Sequence, residues 1–122
     1  EPKFWDDTKI SLIKKRRHKI INKQTSICDA LLADIPGKLT FNINKKLLSF
    51  GITVSDNQAM KAIHVAYKYL KIILEPGGAV ALAAALNYKE IVKNKNVLII
   101  LSGGNIDRDL FLKSLKTSIP KI

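Results

Sequence analysis

Asn96-Val97-Leu98-Ile99-Ile100-Leu101, followed at once by Ser102-Gly103-Gly104-Asn105, is the stretch on which the fold turns. An aliphatic, β-branched run with polar residues at both ends predicts a fully buried strand. The run stops at a serine and two glycines, which have no Cβ and so allow another group close to the backbone. Ile106-Asp107 then leads into a helical pattern carrying Leu110, Phe111 and Leu115. A buried strand that opens through a small polar loop into a helix is where open α/β sheets place ligands.

Working back from that loop, Glu75-Pro76-Gly77-Gly78-Ala79 opens an alanine-rich segment from Val80 to Leu86. Proline suits a first helical turn, where its missing N–H would be unpaired anyway. The Gly and Ala content predicts a narrow helix that packs tightly, with free N–H groups at its start and Glu75 near its positive end. Before it, Ser55 caps a helix to about Leu70 with Ala59, Ile63, Ala66, Tyr67 and Leu70 at helical spacing. His64 is offset from that stripe and is expected to face solvent; the other histidine, His18, is not at ligand spacing from it. Ile52-Thr53-Val54 reads as a short strand, and Gly51 as the end of a helix that Thr40 caps, with Phe41, Ile43, Leu47 and Leu48 apolar. Pro36-Gly37 signals a turn. A first helix is expected from Asp7 to about Arg17, acids leading and bases trailing. Helices alternating with short strands predict an α/β class.

The 122 residues fit one domain, 1–122, and 47% hydrophobic with 25% charged residues is a globular composition. No apolar run is long enough to span a bilayer. One cysteine, Cys28, cannot form an internal disulfide, which agrees with a reducing cytoplasm, and it reads as a small semi-buried hydrophobe. The net charge of +11 raises nucleic-acid binding. Its densest run is Lys14-Lys15-Arg16-Arg17, with Lys9, Lys19 and Lys23 around it and no acid between Lys9 and Lys23. No aromatic is interleaved there to stack on bases, and lysines recur over almost every expected helix, so a solvated basic surface is the preferred reading.

Glu75-Pro76-Gly77-Gly78-Ala79-Val80-Ala81-Leu82-Ala83-Ala84 together with Leu98-Ile99-Ile100-Leu101-Ser102-Gly103-Gly104-Asn105-Ile106-Asp107 resembles the C-terminal part of the threonine/serine dehydratases. With serine racemase, these belong to the fold-type II pyridoxal-phosphate (PLP) enzymes, which are tryptophan synthase β-like. Ser26-Ile27-Cys28-Asp29-Ala30-Leu31, Pro36-Gly37-Lys38-Leu39-Thr40 and Val54-Ser55-Asp56 extend the resemblance in consistent order. It implies a partial domain of that fold, helices packed on short, mostly parallel strands.

The resemblance also implies a site. Ser102 takes the role of the serine that hydrogen-bonds the pyridine nitrogen of PLP. A neutral hydroxyl there favours the charged pyridinium less than a carboxylate would, which suits β-elimination. Gly103 and Gly104 would let the ring lie near the backbone, and Glu75 maps onto a glutamate near that ring. Glu1-Pro2-Lys3-Phe4-Trp5-Asp6-Asp7 is similar to a divalent-cation segment of the same family, with the Glu1 and Asp7 carboxylates and the Trp5 carbonyl as ligands for Mg²⁺ or Ca²⁺. Helix-dipole stabilisation accounts for Asp6 and Asp7 equally well.

No segment resembles the family's Schiff-base lysine motif or its glycine-rich phosphate loop. The chain is therefore expected to be the second half of a catalytic domain, with no regulatory domain following, and to be inactive alone. The expected partners are a complementary N-terminal half or further copies of the chain, with an amino acid as the parent substrate. The rival functions are a small basic nucleic-acid-binding module and a non-catalytic remnant that binds a partner.

Overall fold

The computed structural model describes residues 1–119. Its first helix, α1 (Asp7–Ile13), is started by a side chain outside it. Glu1 Oε1 accepts the Thr8 N–H at 2.8 Å and Oε2 accepts the Lys9 N–H at 3.0 Å, pairing two donors that the first helical turn leaves open. The helix stops at Ile13, short of Arg17, because Lys15 turns left-handed (φ 54°) and the Ser11 hydroxyl accepts the His18 N–H. The basic run beyond is thus a folded loop rather than a helix face, and Arg17 Nε is committed to the Pro36 carbonyl at 2.6 Å. Among its neighbours, Lys19 and Lys23 both pair with Asp34.

A 3-10 turn, Asp29–Leu31, follows Cys28, which is 1% exposed. Burial pushes the Cys28 thiol up to about 11, more than the Ser26 hydrogen bond lowers it. A thiol this poor in thiolate should alkylate roughly a hundredfold more slowly in the native chain than in denaturant at the same pH. Iodoacetamide labelling followed by mass spectrometry measures the ratio, and equal rates would show that Cys28 is accessible.

Helix α2 (Lys38–Leu47) is capped by Gly37, not by Thr40. Thr40 lies one turn inside and donates its hydroxyl back to the Gly37 carbonyl at 3.1 Å. Of its apolar residues only Phe41 is buried; Ile43, Leu47 and Leu48 are exposed. The helix ends at Leu47, ahead of Gly51.

Helix α3 (Asp56–Val65) begins as expected, with Ser55 and Gln58 forming a reciprocal capping box. Asp56 in its first turn also reaches outward, accepting the Ser26 hydroxyl at 2.7 Å and the Ile27 N–H at 3.1 Å. Ala59, Ala62, Ile63, Val65 and Ala66 are buried. A π-helical turn, Ala66–Leu70, then carries the chain to Lys71 at φ 60°. The wider turn shifts the phase of the stripe, which leaves Tyr67 and Leu70 exposed rather than in the core.

Helix α4 (Pro76–Asn87) has proline in its first turn and packs Ala79, Val80, Leu82 and Ala83 into the core beside α3. Short α5 (Lys89–Val92) extends from it, and α6 (Arg108–Leu115) is capped by Asp107 Oδ1, which accepts from Asp109 and Leu110. Phe111 of α6 meets Tyr67 edge-on at 5.3 Å. His64, expected in solvent, instead donates from Nδ1 to the Thr117 carbonyl at 2.9 Å and ties α3 to the end of α6.

The expected strands do not form among the described residues. Pro2 and Val54 make one isolated parallel bridge. Residues 97–101 form no strand and have no ladder partner among the described residues. Ile99 and Leu101 pack against the core, but Leu98 and Ile100 are 90% and 73% exposed. Burial on both faces requires neighbouring strands and covering helices on each side, and only one side is covered here.

Candidate functional site

The loop Ser102–Asn105 is held from beneath by the start of α4. The Glu75 N–H donates to the Gly103 carbonyl at 3.2 Å, and Glu75 Oε2 accepts the Asn105 N–H, also at 3.2 Å. One residue therefore grips the loop through both its backbone and its side chain. Gly78, one turn along, has no room for a Cβ, which would run into the Ser102 carbonyl. Gly103 adopts φ +76°, and a Cβ there would meet the Glu75 carboxylate. At Gly104 it would lie 2.9 Å from the Ile73 carbonyl. Gly78 thus serves the tight packing expected of a Gly/Ala helix, and at Gly103 and Gly104, where the sequence points to room for a ligand ring, the chain's own groups also approach the backbone closely.

Sequence reasoning brought Glu75, Ser102, Gly103 and Gly104 together, and the structure does the same. Ser102 is exposed on the loop, while Glu75 is half-buried. A cleft of about 290 Å³ lies alongside, lined by Asp29, Ala30, Glu75 and Asn105. Sequence reasoning assigns Asp29, Ala30 and Asn105 no site role, although the Ser26–Leu31 segment and the SGGN loop both carry the family resemblance. With Glu75 and Asp29 on its wall, this cleft is unsuited to a phosphate. What the loop offers a PLP molecule is the exposed neutral hydroxyl of Ser102, which suits a ring nitrogen and leaves the phosphate to be held elsewhere.

Glu1 and Asp7, the expected cation ligands, do meet. Asp7 is 6% exposed, and its carboxyl is pushed up to about 6, first by burial and then by the Glu1 charge and their mutual hydrogen bond. Glu1 already serves as the helix cap described above. Trp5 places its indole N–H on the Gln24 carbonyl at 2.6 Å. Among the described residues no three His, Cys, Asp or Glu side chains converge on one point. No helix among them is long and apolar enough to cross a membrane.

The chain is similar to known proteins over most of its length. The L-threonine ammonia-lyase of Thermotoga maritima is 31% identical over 112 residues, covering 92% of this chain and 28% of that protein. A serine racemase of Oryza sativa subsp. indica is 37% identical over 122 residues, covering 94% of this chain and 35% of the relative. The solved structure of the processed form of threonine deaminase isoform 2 from Solanum lycopersicum superposes with a TM-score of 0.81 at 33% identity, over 93% of this chain and 34% of that one. The chain spans about a third of the length of the curated relatives it matches. The likeness to fold-type II enzymes therefore holds, although the strands expected with it are not formed. The family described as pyridoxal-phosphate dependent enzyme matches residues 2–103, from the N-terminal segment through every helix up to the Ser102 loop, and the chain belongs to that family.

Proposed function

We propose that this chain provides the ring-facing side of a PLP-dependent serine/threonine dehydratase or racemase, and that it has no such activity alone. The observation that supports this reading is the double grip of Glu75 on the Ser102 loop. A site that must hold one hydroxyl against a ring nitrogen needs a rigid loop, and rigid support of a contacting group is what preorganisation requires. When bound, PLP supplies the electron sink for α-proton loss and elimination of water from a hydroxy amino acid. This chain's part is positional. Ser102 offers a neutral hydrogen bond to the ring nitrogen, Glu75 fixes the loop, and Gly103 and Gly104 permit the turn. Glu1, Asp7 and the Trp5 carbonyl are the proposed ligands of Mg²⁺ or Ca²⁺, oxygen donors suited to hard cations.

The cofactor-linking lysine and the phosphate loop would come from a complementary polypeptide. Purified chain mixed with PLP and L-serine or L-threonine is expected to release no 2-oxo acid. Release without a second polypeptide would overturn the reading. Adding a polypeptide that carries the lysine motif and phosphate loop of a relative should restore both the visible absorbance of bound PLP and 2-oxo acid formation. In that pair, Ser102→Ala should lower kcat roughly tenfold or more while the helical content is unchanged.

A further inference from the structure

One group of this chain's lysines shares a cleft. It lies near the ends of α1 and α2 and measures about 560 Å³, within the range of small-ligand pockets. Lys9, Lys15, Lys45 and Lys46 line it, and no carboxylate does. Among the described residues only Lys9 of the four has an ion-pair partner, Asp6 at 3.8 Å. The helix dipole accounts for Lys45 and Lys46, in the last turn of α2. It does not account for Lys15, which sits past the end of α1 at φ 54°, where helices favour glycine. Leu12, Ile13, Leu48 and Phe50 supply an apolar lining, and the last three are exposed. Backbone closes one end: Gly51 approaches α1 so closely that a Cβ there would run into Lys9.

We propose that this cleft binds a phosphomonoester with an aliphatic body, one molecule per chain. A phosphate dianion meets several ammonium groups at once, relieving their mutual repulsion and accepting charge-assisted hydrogen bonds. A carboxylate would neutralise one charge only. The apolar lining meanwhile takes the aliphatic body out of water. This cleft is separate from the ring-facing site. The Ser102 loop rests on the start of α4, whereas α2 packs on α1 and on no other helix among the described residues. All of the lining lies between residues 9 and 51, so this chain builds the cleft without residues 97–101 and without a second polypeptide. A lipid headgroup and a soluble alkyl phosphate share this chemistry, and a vesicle arm in the test tells them apart.

Titration calorimetry of the purified chain with octyl phosphate tests this. The expected result is binding roughly tenfold or more tighter than that of inorganic phosphate or of octanol, weakening as salt rises. Replacing both Lys45→Gln and Lys46→Gln should raise the octyl phosphate Kd roughly tenfold or more with circular dichroism unchanged. Lys15→Gly, a residue at ease at φ 54°, should weaken binding several-fold in a chain at least as stable. Ile13→Gln, at a position 72% exposed, should weaken octyl phosphate and leave inorganic phosphate unchanged. Lys14→Gln, outside the cleft, should change neither. Retention of the chain on phosphatidic acid vesicles, and not on phosphatidylcholine vesicles, assigns the ligand to a lipid; octyl phosphate binding without retention assigns it to a soluble molecule. Octyl phosphate binding no tighter than phosphate overturns the proposal. So does binding indifferent to salt, an equal loss in Lys14→Gln, or loss of the site when the complementary polypeptide is bound, which would make the cleft part of that interface. None of the titrations on the chain alone depends on PLP or on 2-oxo acid formation, so the proposed function stands or falls separately.

Discussion

Gly78→Ala is expected to destabilise the chain by about 3 kcal/mol, a large share of the stability of a small domain. The added methyl would be driven into the Ser102 carbonyl, with the Gly103 carbonyl behind it. Neither is the movable end of a flexible side chain. Relief requires the loop and the start of α4 to part, which also breaks the Glu75 contacts to Gly103 and Asn105. Gly77→Ala is the matched control. Its methyl would meet Ala30 and Leu31 side chains at 3.5 Å, an ordinary contact, and removing a helical glycine should gain up to about 1 kcal/mol. Denaturant unfolding of the two variants measures opposite signs. Equal and small effects would show that α4 and the Ser102 loop are not in backbone contact.

Asp7→Asn is expected to stabilise the chain by about 2 kcal/mol at pH 7 and to do nothing near pH 4. The folded carboxyl titrates at about 6 against an ordinary value of 3.8, first through burial and then through Glu1. A raised carboxyl favours the protonated folded state. Between those two values the folded chain holds more protons than the unfolded one, so this group's contribution is fully present at low pH and is lost as pH rises through about 6. Asparagine keeps a donor toward Glu1 and removes the charge, so the difference between variant and parent should open across that window and then stay constant. Denaturant titrations at several pH values read it directly. A difference independent of pH would mean that Asp7 ionises normally. If the proposed Mg²⁺ or Ca²⁺ binds Glu1 and Asp7, adding it at pH 7 should stabilise the parent and not the variant, closing the gap.

Some local signals in the sequence proved dependable, although Thr40 does not cap α2. Ser55 and Gln58 sit within one turn of each other, so the α3 capping box depends on nothing distant. Pro76 opens α4 for a similarly local reason. The pairing of Glu75 with the Ser102 loop was legible through the order and spacing of two family motifs. Its physical form was not, because only tertiary contact shows that the groups approaching Gly78, Gly103 and Gly104 are the Ser102 carbonyl, the Glu75 carboxylate and the Ile73 carbonyl. The misses have several causes. His64 found the Thr117 carbonyl 53 positions away in sequence, and α1 is capped by Glu1 from outside the helix. The π-helical turn displaced Tyr67 and Leu70 from a stripe that regular spacing would have buried.

By itself, the sequence determined the α3 cap, the proline that opens α4 and the family, because each is written in neighbouring positions or in motif order. The tertiary structure alone decided the state of residues 97–101. Their composition demands burial, but a strand exists only through hydrogen bonds to another strand, and no described part of this chain lies alongside to make them.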